Sequence, residues 1–359
     1  MSSVVPAEIA ALAAQGFVMP AEWAPHEATQ LTWPRRPEIW RGVHEEVEQT
    51  FAAFAARLSL GERVHLLVPD KEWEHRAKRL ILRAGGLLPN IFFWKIDSDD
   101  VWARDHGPTC LVNPLGERRM LDWKFNAWGG KFASSLDDAI PRQLAEKLGW
   151  QRVEPGVVME GGAIEVNGEG DLLVTEAVLL NPNRNPGWTR DGLTELLFAA
   201  LGCQRIHWLG GGLEGDDTDG HIDDIARFAP GGKLLIVSPV EGDHPDRETM
   251  LANWERARGF VGPGGKPFEL VGLPVPEPIH FGDEHLPASY ANFYIGNDAV
   301  VVPVFSQPTD AAALSIIGGC FPDREVVGLD CRALVSQYGA LHCVSQQIPS
   351  AVVLAAKFR

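Results

Sequence analysis

The stretch EGGAIEVNGEGDLLVTEAVLL, residues 160–180, carries the pattern from which the fold is read. It opens acidic and glycine-rich, becomes apolar, turns at Asn167-Gly168 and becomes apolar again. Asn-Gly between apolar runs is a strong hairpin signal, because glycine takes a positive φ without steric cost. The pattern recurs in RDHGPTCLVNPLGERRMLDW around Leu115-Gly116, in HIDDIARFAPGGKLLIVSPV around Gly231-Gly232, and in SYANFYIGNDAVVVPVF around Gly296-Asn297. The turn glycines 116, 168, 232 and 296 stand 52, 64 and 64 residues apart.

Helical patterns fall outside these hairpins. HEEVEQTFAAFAARL sets Val47, Phe51, Phe54 and Leu58 on one stripe at helical spacing. DKEWEHRAKRLILRAGG begins at an Asp70 cap and stops at Gly85, and TRDGLTELLFAALG and DRETMLANWERARGF look similar. Short strands such as RVHLLV (63–68) are rich in Val and Leu. A unit of strand, strand, helix, strand, about 60–70 residues long, fits five times into 359 residues. Repetition at that period predicts an α/β propeller or closed ring rather than an open sheet. No linker or low-complexity segment divides the chain, so a single domain over residues 1–359 is expected.

Composition narrows the partners. Asp and Glu total 48 against 32 Lys and Arg, a formal charge of −16. No basic stretch offers to neutralise phosphates, so nucleic acid and anionic membrane are poor partners. A negative field favours a small cation, although acidity also serves solubility. No 18-residue apolar span and no basic leader occur, and the five cysteines (110, 203, 320, 331, 343) are scattered without a Cys-x-x-Cys pair. These features predict a reduced, cytoplasmic protein with no zinc ribbon or disulfide framework. They leave homo-oligomerisation open.

Each polar start of a hairpin carries chemistry. Asp105 lies in DDVWARDHGP, Glu160 in MEGG, and His221 with Asp223 in DTDGHIDD. Cys343 follows His221 by 122 residues, two repeat lengths of 61. If the repeats encircle one axis, these side chains converge. Taken singly they are weak: a cysteine among apolar neighbours is usually inert core, and His-x-Asp-Asp is often a cap. DDTDG resembles a calcium loop but lacks the first ligand and the final Glu, so no metal is expected. If 221–223 is a strand, His221 and Asp223 share a face. If LHCVS is also a strand, His342 points away from Cys343, which makes His342 structural and His221 the better proton carrier.

A thiolate ringed by carboxylates has a raised pKa in an empty site, contrary to what a nucleophile needs. The conflict resolves if the substrate brings the positive charge. A guanidinium is planar, permanently charged and forked, so carboxylates can grip its edges while the central carbon faces sulfur.

On MPAEWAPHEATQLTWP, VWARDHGP, EGGAIEVNGEGDLLVTEAVLLNPNRNP, DDTDGHIDDIARF, ASYANFYIGN and LHCVSQQIP, the chain resembles bacterial and plant agmatine deiminases. These belong with the guanidine-modifying enzymes that include peptidylarginine and arginine deiminases. The resemblance covers nearly the whole chain and implies a five-bladed α/β propeller of ββαβ units. It implies Cys343 as nucleophile, His221 as acid and base, Asp105 and Asp223 as guanidinium clamps, and Glu160 orienting His221 or substrate. Trp102 and Asp217 match substrate-binding positions. A covalent amidino-cysteine intermediate and no cofactor are implied, with agmatine hydrolysed to N-carbamoylputrescine and ammonia. Another guanidine, such as a peptidyl C-terminal arginine, is the near alternative; a metal-dependent hydrolase and a silent binding module are more distant. Where relatives carry a Gly-rich run ending in IHC, this chain has YGALHC, bulkier at Tyr338, Ala340 and Leu341.

Overall fold

The computed structural model describes residues 5–351 except 241 and 243. All four predicted hairpins form as antiparallel pairs. They join Thr109–Val112 to Arg118–Leu121, Glu165–Val166 to Asp171–Thr175, Ala226–Ala229 to Lys233–Val237, and Tyr294–Ile295 to Ala299–Val304. The second strand of each then leads through a helix to a parallel neighbour on its other side. The four helices are Ile140–Leu148, Arg190–Leu201, Arg247–Ala257 and Asp310–Cys320. The parallel strands are Gln151–Val153, Arg205–Leu209, Glu269–Leu273 and Glu325–Asp330.

A small separate hairpin pairs Ile279–Phe281 with Glu284–Leu286, and a larger sheet draws on both ends of the chain. Ser345–Pro349 pairs antiparallel with His26–Thr32, which pairs in parallel with Arg63–Val68 after the helix His44–Leu58. A further helix, Lys71–Arg83, adds Ile91–Lys95 as an outer parallel strand. The result is an α/β fold of several small sheets, none closed on itself.

Local chemistry explains why the elements fall where they do. In the helix Arg190–Leu201, Leu193, Leu196, Leu197, Ala200 and Leu201 are buried at helical spacing. Thr189 caps its start by accepting from Gly192 N at 3.2 Å, and Gly202 ends it in the left-handed conformation at φ 70°. Asp70 caps Lys71–Arg83 as the sequence predicts, accepting from Glu72 N at 2.8 Å and Trp73 N at 3.1 Å. Val47, Phe51, Phe54 and Leu58 are buried on one face of His44–Leu58. The middle strands Asp171–Thr175 and Arg63–Val68 read as near-continuous buried runs, as expected for strands covered on both faces.

The Asn167-Gly168 turn is wider than a two-residue hairpin. Asn167 Oδ1 accepts from Glu169 N at 2.8 Å and Asp171 N at 3.1 Å, closing a four-residue loop over residues 167–170. Among the described residues, no helix is long and apolar enough to cross a membrane.

Candidate active site

Five short irregular segments, each immediately before the first strand of a hairpin or before Ser345–Pro349, meet at one place. They are the helix Ala103–His106, the 3-10 turns Gly161–Ala163 and Ile222–Asp224, the loop before Tyr294, and the turn over residues 341–344. Four of the five junctions between neighbouring segments carry a hydrogen bond. Gly162 N donates to Asp105 Oδ1 at 2.9 Å, Ser289 Oγ to the Asp224 carbonyl at 2.7 Å, His342 N to the Asn292 carbonyl at 3.1 Å, and Arg104 N to the Cys343 carbonyl at 3.0 Å. Gly162, in the second segment, faces the first and the third. A Cβ there would stand 2.5 Å from His221 Nδ1, 2.9 Å from Asp105 Oδ1 and 3.2 Å from Asp223 Oδ2. Only a glycine leaves those three side chains room to converge.

Two strand assignments of the sequence reading are corrected. His221 precedes a 3-10 turn rather than sharing a strand with Asp223, and residues 341–344 form a turn that becomes strand only at Ser345. His342 is therefore not turned away by alternation. Its Nδ1 lies 2.6 Å from Asp223 Oδ2 and its Nε2 2.7 Å from Glu22 Oε2, so it bridges two carboxylates, one of which also faces the Cys343 sulfur. Glu22 also meets Arg104 Nη2 at 3.1 Å and Arg227 Nη2 at 3.0 Å, and Arg227 Nε lies 3.2 Å from Glu165. Burial alone would raise Glu22, but Arg227, His342 and Arg104 outweigh it and hold its carboxyl well below the usual range. Burial likewise opposes the ionisation of Asp223, yet His342 keeps it below its ordinary value.

Cys343 is buried, and its sulfur accepts from Asn292 Nδ2 at 3.0 Å and lies 3.8 Å from Asp223 Oδ2. Asn292 Nδ2 also donates to Asp224 Oδ1 at 2.9 Å, while its Oδ1 receives His342 N at 2.9 Å. Burial, then Asp223, Asp224 and Asp105, push the thiol well above its ordinary value. Asp105 accepts from Trp128 Nε1 at 2.9 Å, and burial with Asp223 and Glu160 raises its carboxyl strongly. Glu160 is held by Arg184 Nε at 2.7 Å, and burial raises it despite that partner.

His221 is fully buried, its Nδ1 3.7 Å from Asp105 and its Nε2 4.0 Å from Glu160. Burial drives its pKa down to about 3 against the pull of Asp223, so the ring is neutral at neutral pH. Both ring nitrogens, Glu160 Oε2 and Asp223 Oδ1 are buried without a protein hydrogen-bond partner. Buried polar atoms are normally satisfied, and these leave hydrogen-bonding capacity open within one cluster.

The pocket leading to Cys343 encloses about 400 Å³, mouth included. Trp102, Trp128, Phe132 and Tyr338 supply aromatic walls, and Asp100, Asp105 and Asp217 supply carboxylates. Gly339 lets the Trp102 indole lie against the backbone beside Cys343, where a Cβ would collide with the ring. Burial raises Asp100 to about 6, and burial with Asp216 raises the half-buried Asp217 to about 7. Such elevation marks carboxylates that a cation would ionise fully. Asp223, Asp224 and Cys343 place ligand atoms within 4.8 Å of one another, close enough to share a metal ion. Asn292 and His342 already bond all three, and the remaining unpartnered acceptors suit a planar N–H donor better.

The predicted Cys343, His221, Asp105, Asp223 and Glu160 are thus together, with Trp102 and Asp217 along the pocket. Sequence reasoning missed Asn292, Arg184, Trp128 and Asp100. Asn292 stands two residues before Tyr294, at the start of the fourth hairpin, where the other repeats carry ionisable groups. A search by register rather than by charge would have found it.

Fold and site together define an α/β protein with a buried cluster of thiol, histidine and carboxylates at the end of an aromatic and acidic pocket. A profile of the Porphyromonas-type peptidyl-arginine deiminase family matches residues 18–349, and the chain belongs to that family. It is 35% identical to the agmatine deiminase of Ectopseudomonas mendocina (strain ymp), over 94% of this chain and 96% of that one. The structure of Enterococcus faecalis agmatine deiminase superposes with a TM-score of 0.88 at 29% identity, covering 95% of this chain and 98% of that one. A cysteine-to-serine variant of C. jejuni agmatine deiminase with substrate bound gives a TM-score of 0.83 at 30% identity, over 92% and 96% of the two chains.

Proposed function

We propose that this chain is an agmatine deiminase, hydrolysing agmatine to N-carbamoylputrescine and ammonia through a covalent amidino-cysteine. The observation that carries the reading is the set of unpartnered buried atoms, Glu160 Oε2, Asp223 Oδ1 and both His221 nitrogens, around a buried thiol. Asp105 and Asp223 grip the guanidinium edges. The cation offsets the carboxylates that hold the thiol up, so Cys343 ionises in the complex. Its proton passes to His221 as sulfur bonds to the guanidinium carbon. The imidazolium returns that proton to the departing nitrogen, ammonia leaves, and an amidinium thioether remains. Neutral His221 then takes a proton from water as the water oxygen attacks. Collapse of the adduct breaks the C–S bond and forms the ureido carbonyl; sulfur regains its proton from His221, and the hydroxyl proton leaves with the released ammonia as ammonium. Glu160, positioned by Arg184, steadies His221 through the cycle. No metal or organic cofactor enters.

Agmatine is favoured over arginine in a peptide by what lies along the pocket. Asp100 and Asp217 suit a terminal ammonium and oppose a carboxylate. The nearby cations are committed, Lys131 to Asp219 at 2.8 Å and Arg41 to Glu284 at 2.5 Å. A peptidyl C-terminal arginine is the second reading, favoured by the family's name. Four ββαβ units and a fifth assembled from both chain ends, with site segments hydrogen-bonded at four of five junctions, support a single five-bladed propeller domain. Five unpaired cysteines support a cytoplasmic location.

Mass spectrometry of enzyme quenched during turnover tests the chemistry. An amidino adduct on Cys343 is expected with agmatine, with a higher kcat/KM than for C-terminal-arginine peptides. Full turnover in Cys343→Ala would end the mechanism.

A further inference from the structure

Two residues with side chains and left-handed backbones are joined at this pocket. Tyr338 has φ 68° and Arg41 has φ 49°. Residues bearing a Cβ persist in that region only where surrounding structure holds them. Here the surroundings are three stretches far apart in sequence. Arg41 Nη2 donates to the Tyr338 phenol oxygen at 2.8 Å, its Nη1 meets Glu284 Oε2 at 2.5 Å, and the phenol donates to the same Glu284 oxygen at 2.8 Å. The Arg41 guanidinium carbon lies 5.4 Å from the Tyr338 ring centre and 5.2 Å from that of Phe281. Gln337 Nε2 donates to the Ile39 carbonyl at 2.6 Å, pinning the same backbone to the same turn. Each tie is individually weak because it is part-exposed. Acting together on one ring, they give it a single position.

That position matters because Tyr338 lines the pocket that Cys343 also lines, and its neighbour Gly339 stands directly beside Cys343. We propose that Tyr338, clasped by Arg41 and Glu284, is a specificity-determining residue that admits slim, unbranched guanidines and turns away those on a branched, peptide-like tail. The proposal rests on the guanidine reading above. Charge acts in the same direction as size. The clasp commits Arg41 to Glu284, so the cation that a tail carboxylate would seek is already used, and Asp100 and Asp217 remain in the pocket.

The test uses Tyr338→Gly and Arg41→Gly, since glycine suits both positive φ values and both variants keep the turns. The ratio of kcat/KM for agmatine to that for glycyl-arginine is measured in each. In parallel, dissociation constants for both ligands are measured by calorimetry on a Cys343→Ala background. Tyr338→Gly is expected to reduce the agmatine preference at least about tenfold, chiefly through the KM for the dipeptide. Arg41→Gly should move it in the same direction by roughly threefold or more, because the ring remains but is no longer held. A preference unchanged in turnover and binding in either variant would overturn the assignment. If neither ligand is turned over but the binding ratio still shifts, the deiminase reading fails and the role of Tyr338 stands. If neither ligand binds, both fail.

Discussion

Cys343 is surrounded by groups that oppose its ionisation, and that opposition sets how the reaction depends on pH. Burial and three aspartates hold the free thiol well above its usual value. A bound guanidinium supplies the missing positive charge and lowers it. The alkaline-rising limb of kcat/KM reports the free enzyme, whereas that of kcat reports the complex. The kcat limb should therefore lie at lower pH than the kcat/KM limb, and pH–rate profiles for both parameters check this. Coincident limbs would mean that substrate does not assist thiolate formation. His221 adds no competing limb near neutrality, because burial holds it at about 3 in the free protein. Reactive residue types were legible from the sequence, and Cys343 and His221 were paired by repeat spacing. The hydrogen-bond partners were not: Asn292 on the sulfur and Glu22 behind His342 come from segments whose local patterns name no contact.

At the scale of elements, hairpins and long helices were readable because they repeat. Alternation with a turn glycine marks the first, and a buried stripe marks the second. The segments that carry the chemistry are too short for any period. The 3-10 turns Gly161–Ala163 and Ile222–Asp224 and the turn at 341–344 were accordingly read as polar hairpin starts or as strand. Their geometry is set by what packs on them. Gly162→Ala tests this directly, since its Cβ would press on His221, Asp105 and Asp223 at once. We expect kcat/KM to fall on the order of 100-fold with the far-ultraviolet circular dichroism spectrum unchanged, because displacements well below the size of an atom spoil reacting geometry. Activity within a factor of about two of the parent would show that the three side chains need not converge there.

Across the whole molecule, the site gathers more buried negative charge than its own cations neutralise. Asp105, Asp224 and Glu160 are all raised by burial. A raised carboxyl binds its proton more tightly in the folded chain, so its ionisation costs stability as pH rises out of the ordinary carboxylate range. Glu22 and Asp223 are lowered and act oppositely, stabilising above that range and losing their contribution in acid. A guanidinium ligand relieves the first group. At ~100 times its Kd a ligand adds about 2.7 kcal/mol. With about 2.1 cal/mol/K of unfolding entropy per residue over 359 residues, that is on the order of 3–4 °C in Tm. Thermal shifts of Cys343→Ala with agmatine should show this, and the shift should be larger at about pH 8 than at about pH 5.5. A shift that shrinks with rising pH would contradict the charge argument.

The amino-acid sequence by itself determined the repeat, the elements that build it and the residue types available for chemistry, because periodicity and turn propensity act between near neighbours. It also carried the resemblance from which the reaction is inferred. Tertiary structure alone decided that Asn292 holds Cys343, that Arg184 holds Glu160, that His342 bridges Asp223 and Glu22, and that Tyr338 is clasped at the pocket wall. Those pairings join segments 24 to 320 residues apart. No local preference encodes a contact across such distances; it exists only once the sheets have brought their ends together.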